Sequence, residues 1–168
     1  MKQKLLKVSL VGRTNAGKST LLNSLVGETV SITNKKINTT EDVIGGIYNQ
    51  DNHQIIIYDT PGINFLKISN KKNIKLKKNL WEGINHSDLI LYIIDSASFN
   101  LNEIISNIKK LKELNIKISI VFNKNDLVEI KKILLNIKKI KDLIKIDKFF
   151  NISSKKKLIF NNLKNYLI

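Results

Sequence analysis

Apolar and polar positions follow two different spacings along the chain. Four runs, Leu5–Val11, Gln54–Tyr58, Leu89–Ile94 and Lys117–Phe122, are short, nearly unbroken and rich in β-branched residues, the pattern of strands covered on both faces. Between them, Ser19–Val26, Leu101–Leu114 and the series Ile130, Ile133, Leu134, Ile137, Ile140, Ile144 repeat at three and four, which predicts amphipathic helices. A shorter candidate strand, Val43–Tyr48, reaches Gln54–Tyr58 through the polar turn Asn49-Gln50-Asp51-Asn52, so a hairpin and one antiparallel edge strand are expected. Phe149–Ile152 predicts a last strand and Lys157–Leu167 a closing helix. Strands that alternate with helices imply a doubly wound α/β domain, whose ligand crevice lies beyond the carboxyl ends of the strands.

Length and composition narrow this picture. A chain of 168 residues suits one domain with a core of ordinary size. The absence of cysteine excludes a disulfide framework, a zinc-thiolate site and a thiol nucleophile, and no apolar signal segment opens the chain, so an intracellular protein is expected. No apolar run approaches the length of a membrane span, which leaves only peripheral membrane contact open. The net charge of +15 would favour an anionic partner, yet Lys, Ile and Asn make up 79 of the 168 residues and Arg13 is the single arginine. That bias is what A/T-rich codons produce, and lysine lacks the bidentate fork of arginine, so the charge alone does not establish a nucleic-acid partner. The stretch Asn64–Leu80, with six lysines and no acid, reads as a solvated amphipathic helix.

Three motifs carry chemistry. Directly after the first strand, Gly12-Arg13-Thr14-Asn15-Ala16-Gly17-Lys18-Ser19-Thr20 is a full G-x-x-x-x-G-K-S followed by a helical pattern. Glycines there let backbone N–H groups turn inward around phosphates, Lys18 reaches the β and γ oxygens, and the Ser19 hydroxyl is a Mg²⁺ ligand. Asp59-Thr60-Pro61-Gly62 ends a parallel strand, so Asp59 is the candidate Mg²⁺ carboxylate and Gly62 the residue whose N–H senses a γ-phosphate. Asn123-Lys124-Asn125-Asp126 reads as N-K-x-D: Asp126 accepts from guanine N1–H and N2–H₂, a donor pair adenine lacks, Asn123 braces the loops and meets N7, and the Lys124 stem covers the base. Ser153-Ser154-Lys155 fits a loop whose backbone N–H meets guanine O6. His53 and His86 have no ligand spacing, Trp81 with Phe65 and Leu80 reads as core, and Asp95 reads as a cap for the loop after its strand.

Taken in order, these motifs resemble the GTPases that include the Era-type ribosome-assembly GTPases and the tRNA-modification GTPases. The segment Ser31-Ile32-Thr33-Asn34-Lys35-Lys36-Ile37-Asn38-Thr39-Thr40 resembles the Era-type first switch. The resemblance implies a P-loop NTPase fold of three α/β/α layers, with a mostly parallel sheet of about six strands and one antiparallel edge strand. It implies a single GTPase domain over 1–168 without the KH domain that the family carries, since no G-x-x-G clamp of KH type follows. It implies GTP/GDP and Mg²⁺ as ligands, with Thr40, or Thr39 in its place, as the switch threonine on the metal. Ile63 stands where many GTPases have the glutamine that orients water, so slow intrinsic hydrolysis is expected, and Asn15 matches the asparagine with which relatives hold a K⁺ ion. Lys18, Thr40, Gly62 and Asn15 are thus the catalytic candidates. The implied partner is the small ribosomal subunit or its rRNA, met by a cytoplasmic monomer. Glu41 departs from the arginine usual in the family. A GTP-binding module with negligible turnover, a tRNA-modification-type domain and a basic RNA-binding protein remain the alternatives.

Overall fold

Six strands form one sheet in the computed structural model, which describes residues 4–27, 44–60, 62, 81, 84–156 and 160–168. They are β1 (Lys4–Gly12), β2 (Ile44–Gln50), β3 (His53–Asp59), β4 (Leu89–Asp95), β5 (Lys117–Asn123) and β6 (Lys148–Asn151). Their order across the sheet is β2-β3-β1-β4-β5-β6; every pair is parallel except β2 with β3. The expected edge hairpin is present, but its turn is tighter than the four polar residues suggest. Asn49 and Gln50 pair with Gln54 and His53, leaving Asp51 and Asn52 as the turn, with Asp51 at φ 51°. Ladder hydrogen bonds are made by the backbone and continue past polar residues whose side chains face solvent, so polarity alone overestimates the loop.

Among the described residues the helices include α1 (Lys18–Val26), α2 (Leu101–Lys112), α3 (Ile130–Leu143) and α4 (Phe160–Leu167). Leu21, Leu22, Leu25 and Val26 of α1 join Leu163 and Leu167 of α4 over one sheet face; Ile104, Ile105, Ile108 and Leu111 of α2 join Ile133 and Ile140 of α3 over the other. With both faces covered, the six residues Leu89–Ile94 of β4 are all buried, which is why that strand reads as a continuous apolar run. Trp81 packs against the α2/α3 core, as its apolar context predicts, whereas Phe65 and Leu80 lie outside the described residues. Asn100 caps α2 by accepting from the Glu103 N–H at 3.2 Å, and Lys109, Lys110 and Lys112 complement the dipole in its last turn.

This topology sets the position of the site. β1 is flanked by β3 on one side and β4 on the other, so the chain reverses its winding direction at β1, and a crevice opens beyond the β1 carboxyl end. Register places Leu10 beside Asp59, Gly12 beside Ile93 and Asp95 beside Asn123. The ends of β1, β3, β4 and β5 are therefore neighbours along one edge.

Candidate nucleotide-binding site

The loop from Gly12 to α1 turns sharply, and its residue types permit it. Asn15 lies at φ 64° and Gly17 at φ 92°, both in the left-handed region. Any Cβ at Gly17 would also run into the Asn123 carboxamide, so glycine is needed there on two counts. α1 begins with no side-chain cap and no acid in its first turn. Its leading N–H groups and positive dipole end are left to an external anion.

Lys18 is only 7% exposed and folds back across the loop, donating to the carbonyls of Gly12 at 3.1 Å and Arg13 at 2.9 Å. Burial lowers its pKa, against the opposing pull of the Asp59 charge. Ser19 Oγ donates to Asp59 Oδ2 at 2.7 Å, while Asp59 Oδ1 is buried with no hydrogen-bond partner among the described residues. A hydroxyl beside a carboxylate with one unused oxygen is a donor set suited to a hard divalent cation, so these residues fit Mg²⁺. Thr60 Oγ1 donates to the Leu10 carbonyl at 2.6 Å, which fixes the end of β3 to β1. Gly62 lies flat against Thr14: a methyl there would come within 2.6 Å of the Thr14 backbone N and Cα. Ala16 is buried, whereas Arg13, Thr14 and Asn15 are exposed on the loop and Thr20 is exposed in the first turn of α1.

The base-side loops meet at Asn123. Its Nδ2 donates to the Ala16 carbonyl at 3.0 Å; its Oδ1 accepts from the Ser154 N–H at 3.0 Å and from Ser154 Oγ at 2.8 Å. A single buried carboxamide thus ties together the phosphate loop, the end of β5 and the loop after β6. Ser24 of α1 adds a fourth tie, donating to the Ser154 carbonyl at 2.9 Å. Lys124, at φ 60°, sends its ammonium to the Asn15 carbonyl and the Asp95 carboxylate, each at 2.7 Å. The Ser153 hydroxyl, followed by Asp126's own backbone N–H and the charge of Lys156, holds the Asp126 carboxyl below its ordinary pKa against partial desolvation. Lys156 Nζ lies 3.5 Å from Asp126 Oδ2, and Lys155 points to solvent.

The structure therefore brings Gly12–Thr20, Asp59, Thr60, Gly62, Asn123, Lys124, Asp126 and Ser153–Lys155 to one edge of the sheet. Thr39, Thr40, Glu41, Pro61, Ile63 and the lysine-rich stretch 64–80 lie outside the described residues. Sequence reasoning missed the participation of Ser24, Lys156 and Glu103. Glu103 approaches the Arg13 Nε at 3.4 Å, and the pair flanks a cavity of about 220 Å³ between the phosphate loop and the segment joining β4 to α2. None of these residues forms a local pattern with its partner, and only the fold brings them together. Asp95 accepts from the Ala97 N–H at 2.9 Å, as a cap should, but it also engages Lys124.

Comparison with known proteins matches this geometry. A family model described as a 50S ribosome-binding GTPase covers residues 7–124. GTPase Era of Buchnera aphidicola subsp. Acyrthosiphon pisum (strain Tuc7) is 40% identical over 166 residues, which are 95% of this chain and 58% of that protein. The chain belongs to this GTPase family. Among solved structures, Era in complex with MgGDPNP and nucleotides 1506–1542 of 16S ribosomal RNA superposes with a TM-score of 0.79 at 33% identity, covering 98% of this chain and 56% of that one. An Aquifex aeolicus Era variant bound to GDP·AlF4⁻ superposes with a TM-score of 0.78 at 33% identity, over 98% of this chain and 56% of that one. The chain thus spans a little over half the length of the Era proteins it matches.

Proposed function

We propose that residues 1–168 act as a guanine-nucleotide switch that binds GTP with Mg²⁺, hydrolyses it to GDP and phosphate, and works in the cytoplasm on the small ribosomal subunit or its rRNA. The observation that carries this reading is the convergence of phosphate loop, base loop and Ser153–Lys155 loop on Asn123. Such a joint ties the element that grips phosphate to the elements that read the base. The rRNA-bound Era structure supports the choice of partner. Among the described residues no helix is long and apolar enough to cross a membrane.

The same reading assigns each residue a role. The uncapped N–H groups of α1 and the Lys18 ammonium bind the phosphates, and the lysine gives up its two carbonyl partners to do so. Ser19 and Asp59, joined by Thr40 or Thr39, would hold Mg²⁺, which would supply positive charge against the phosphates. Asp126 takes the two guanine donors, with Lys156 moving aside. Ile63 has no group that orients water, so intrinsic turnover is slow.

Gly62 couples the state of the γ-phosphate to the rest of the molecule because it lies against Thr14. Gly62→Ala should keep GDP affinity within about threefold but lose most of the difference between GTP-analogue and GDP states, since a methyl cannot share space with the Thr14 backbone. Protease-protection patterns in the two nucleotide states provide the check, and an undiminished difference between them removes Gly62 from the switch. Asn15, exposed beside the loop, is the K⁺ candidate: turnover should rise severalfold when Na⁺ is replaced by K⁺ and stay flat in Asn15→Ala. Equal turnover in the two salts removes the ion from the scheme.

Co-sedimentation with small ribosomal subunits, in GTP-analogue, GDP and nucleotide-free forms across a salt series, tests the cellular half of the proposal. Binding that favours the analogue and survives physiological salt is the expected result. Binding that ignores nucleotide and vanishes with salt would reduce the lysines to general counter-charge.

A further inference from the structure

Lys124 meets a carboxylate as well as the Asn15 carbonyl, and that carboxylate has two jobs. Asp95 Oδ1 accepts the Ala97 N–H at 2.9 Å and so caps the short 3-10 turn Ser96–Ser98; Oδ2 accepts from Lys124 Nζ at 2.7 Å. Its position is fixed from both sides, because Asp95 pairs with Asn123 in the sheet and Ser96 Oγ donates to the Asn123 carbonyl at 2.7 Å. The Asp95 side chain is 18% exposed and that of Lys124 32%, so the pair is sheltered enough for a charge-assisted hydrogen bond to hold a conformation.

We propose that Asp95 is a positioning residue for the nucleotide, acting through Lys124; the inference rests on the guanine-nucleotide reading above. Lys124 sits between Asn123, the brace, and Asp126, the base reader, and its backbone adopts a left-handed conformation that lysine does not favour. Its ammonium needs a fixed anchor if the stem is to lie over the base while the tip steadies the phosphate loop at Asn15. The Asn15 carbonyl is a poor sole anchor, since it belongs to an exposed loop. Asp95 is set on the sheet edge and anchors the lysine to the rigid part of the domain. The charge matters in the other direction too. An uncompensated carboxylate beside a phosphate-binding loop repels a di- or triphosphate, and Lys124 neutralises it.

This dual role makes the two functions of Asp95 separable. Asp95→Asn is nearly isosteric and keeps an oxygen for the Ala97 cap, but it removes the charge that holds Lys124. Dissociation of a fluorescent GDP analogue should become about tenfold faster in Asp95→Asn, with preference for guanine over adenine nucleotides unchanged. Lys124→Met should accelerate release more strongly, because it loses the stem anchor and strands the carboxylate. In that background Asp95→Asn should slow release, since it now relieves repulsion, so the same substitution reverses sign. A cap-only role predicts a silent Asp95→Asn, and a general structural role predicts acceleration in both backgrounds; either outcome overturns the proposal. If the wild-type protein fails to prefer GDP over ADP, the guanine-nucleotide reading itself fails, which is a separate result.

Discussion

Lys18→Met should cost the protein about 100-fold or more in GTP affinity, through loss of charged hydrogen bonds to the phosphates, while leaving the nucleotide-free protein more resistant to heat. The first half follows from the role of the lysine and the second from its surroundings. Lys18 is 7% exposed, and burial depresses its pKa from 10.5 even with Asp59 nearby. A lysine whose pKa falls on folding binds protons more readily in the unfolded chain. Stability of the free protein therefore rises with pH between the lowered value and 10.5, and at neutral pH the protonated lysine works against folding. Methionine keeps the unbranched shape and removes the charge. The expected result is a higher Tm without nucleotide, no Tm increase on adding GTP, and a weaker rise in stability through alkaline pH. Isothermal titration and thermal melts measure both halves. Undiminished GTP affinity would remove Lys18 from the site, and a lower Tm would mean that its bonds to the Gly12 and Arg13 carbonyls outweigh its desolvation.

Asp126→Asn should redirect the site from guanine to xanthine nucleotides. In the proposed role Asp126 would offer two acceptor oxygens to the guanine N1–H and N2–H₂; an amide keeps one acceptor and turns the other position into a donor, which the 2-oxo group of xanthine accepts. Loss of charge-assisted bonds should weaken GDP by about 100-fold or more, with XDP gaining in the same variant. Lys156 reinforces the change, because its 3.5 Å partner is then no longer charged. The wild-type site should also tolerate acid. With the Asp126 pKa held below its ordinary 3.8, the carboxylate persists through mildly acidic pH, and guanine selectivity is lost only as pH falls through the depressed value. Competition of GDP and XDP for the site, repeated from pH 7 to pH 4, tests both statements. Unchanged base preference in Asp126→Asn would assign the base to another residue.

Much of this was legible in the sequence, for reasons that can be traced. β1, β3, β4 and β5 lie inside the sheet, so their apolar runs are nearly unbroken, and the three motifs stand at the ends of β1, β3 and β5. The loop after Gly12 announces itself because only certain residues tolerate its turns. What stayed hidden depends on distance along the chain. Lys156 is one of 28 lysines, and nothing in Ser153-Ser154-Lys155-Lys156 marks it as the neighbour of Asp126. Glu103 reads as an ordinary first-turn acid of α2, which it also is, and its approach to Arg13 depends on how α2 packs beside the loop. Asp95 was readable as a cap because a cap is local; its hold on Lys124, 29 positions away, was not. Polar residues misled at the β2–β3 turn, where Asn49 and Gln50 belong to the ladder.

The bond from Asn123 to the Ala16 carbonyl joins positions 107 apart, and its partner Ser154 lies 31 further on. During synthesis from the N-terminus, the phosphate loop is made early but receives its brace only once Asn123 and Ser154 have followed it out of the ribosome. A nascent chain that stops before Ser153 lacks one side of the Asn123 joint and holds no closed site. Nucleotide capture then becomes a signal that residues through Ser154 are made and folded, and the bound ligand in turn stabilises the domain by mass action. By the same reasoning, a minimal nucleotide-binding fragment must run at least from the start of β1 to Ser154, and splitting the chain anywhere between them makes binding depend on reassembly of the two pieces.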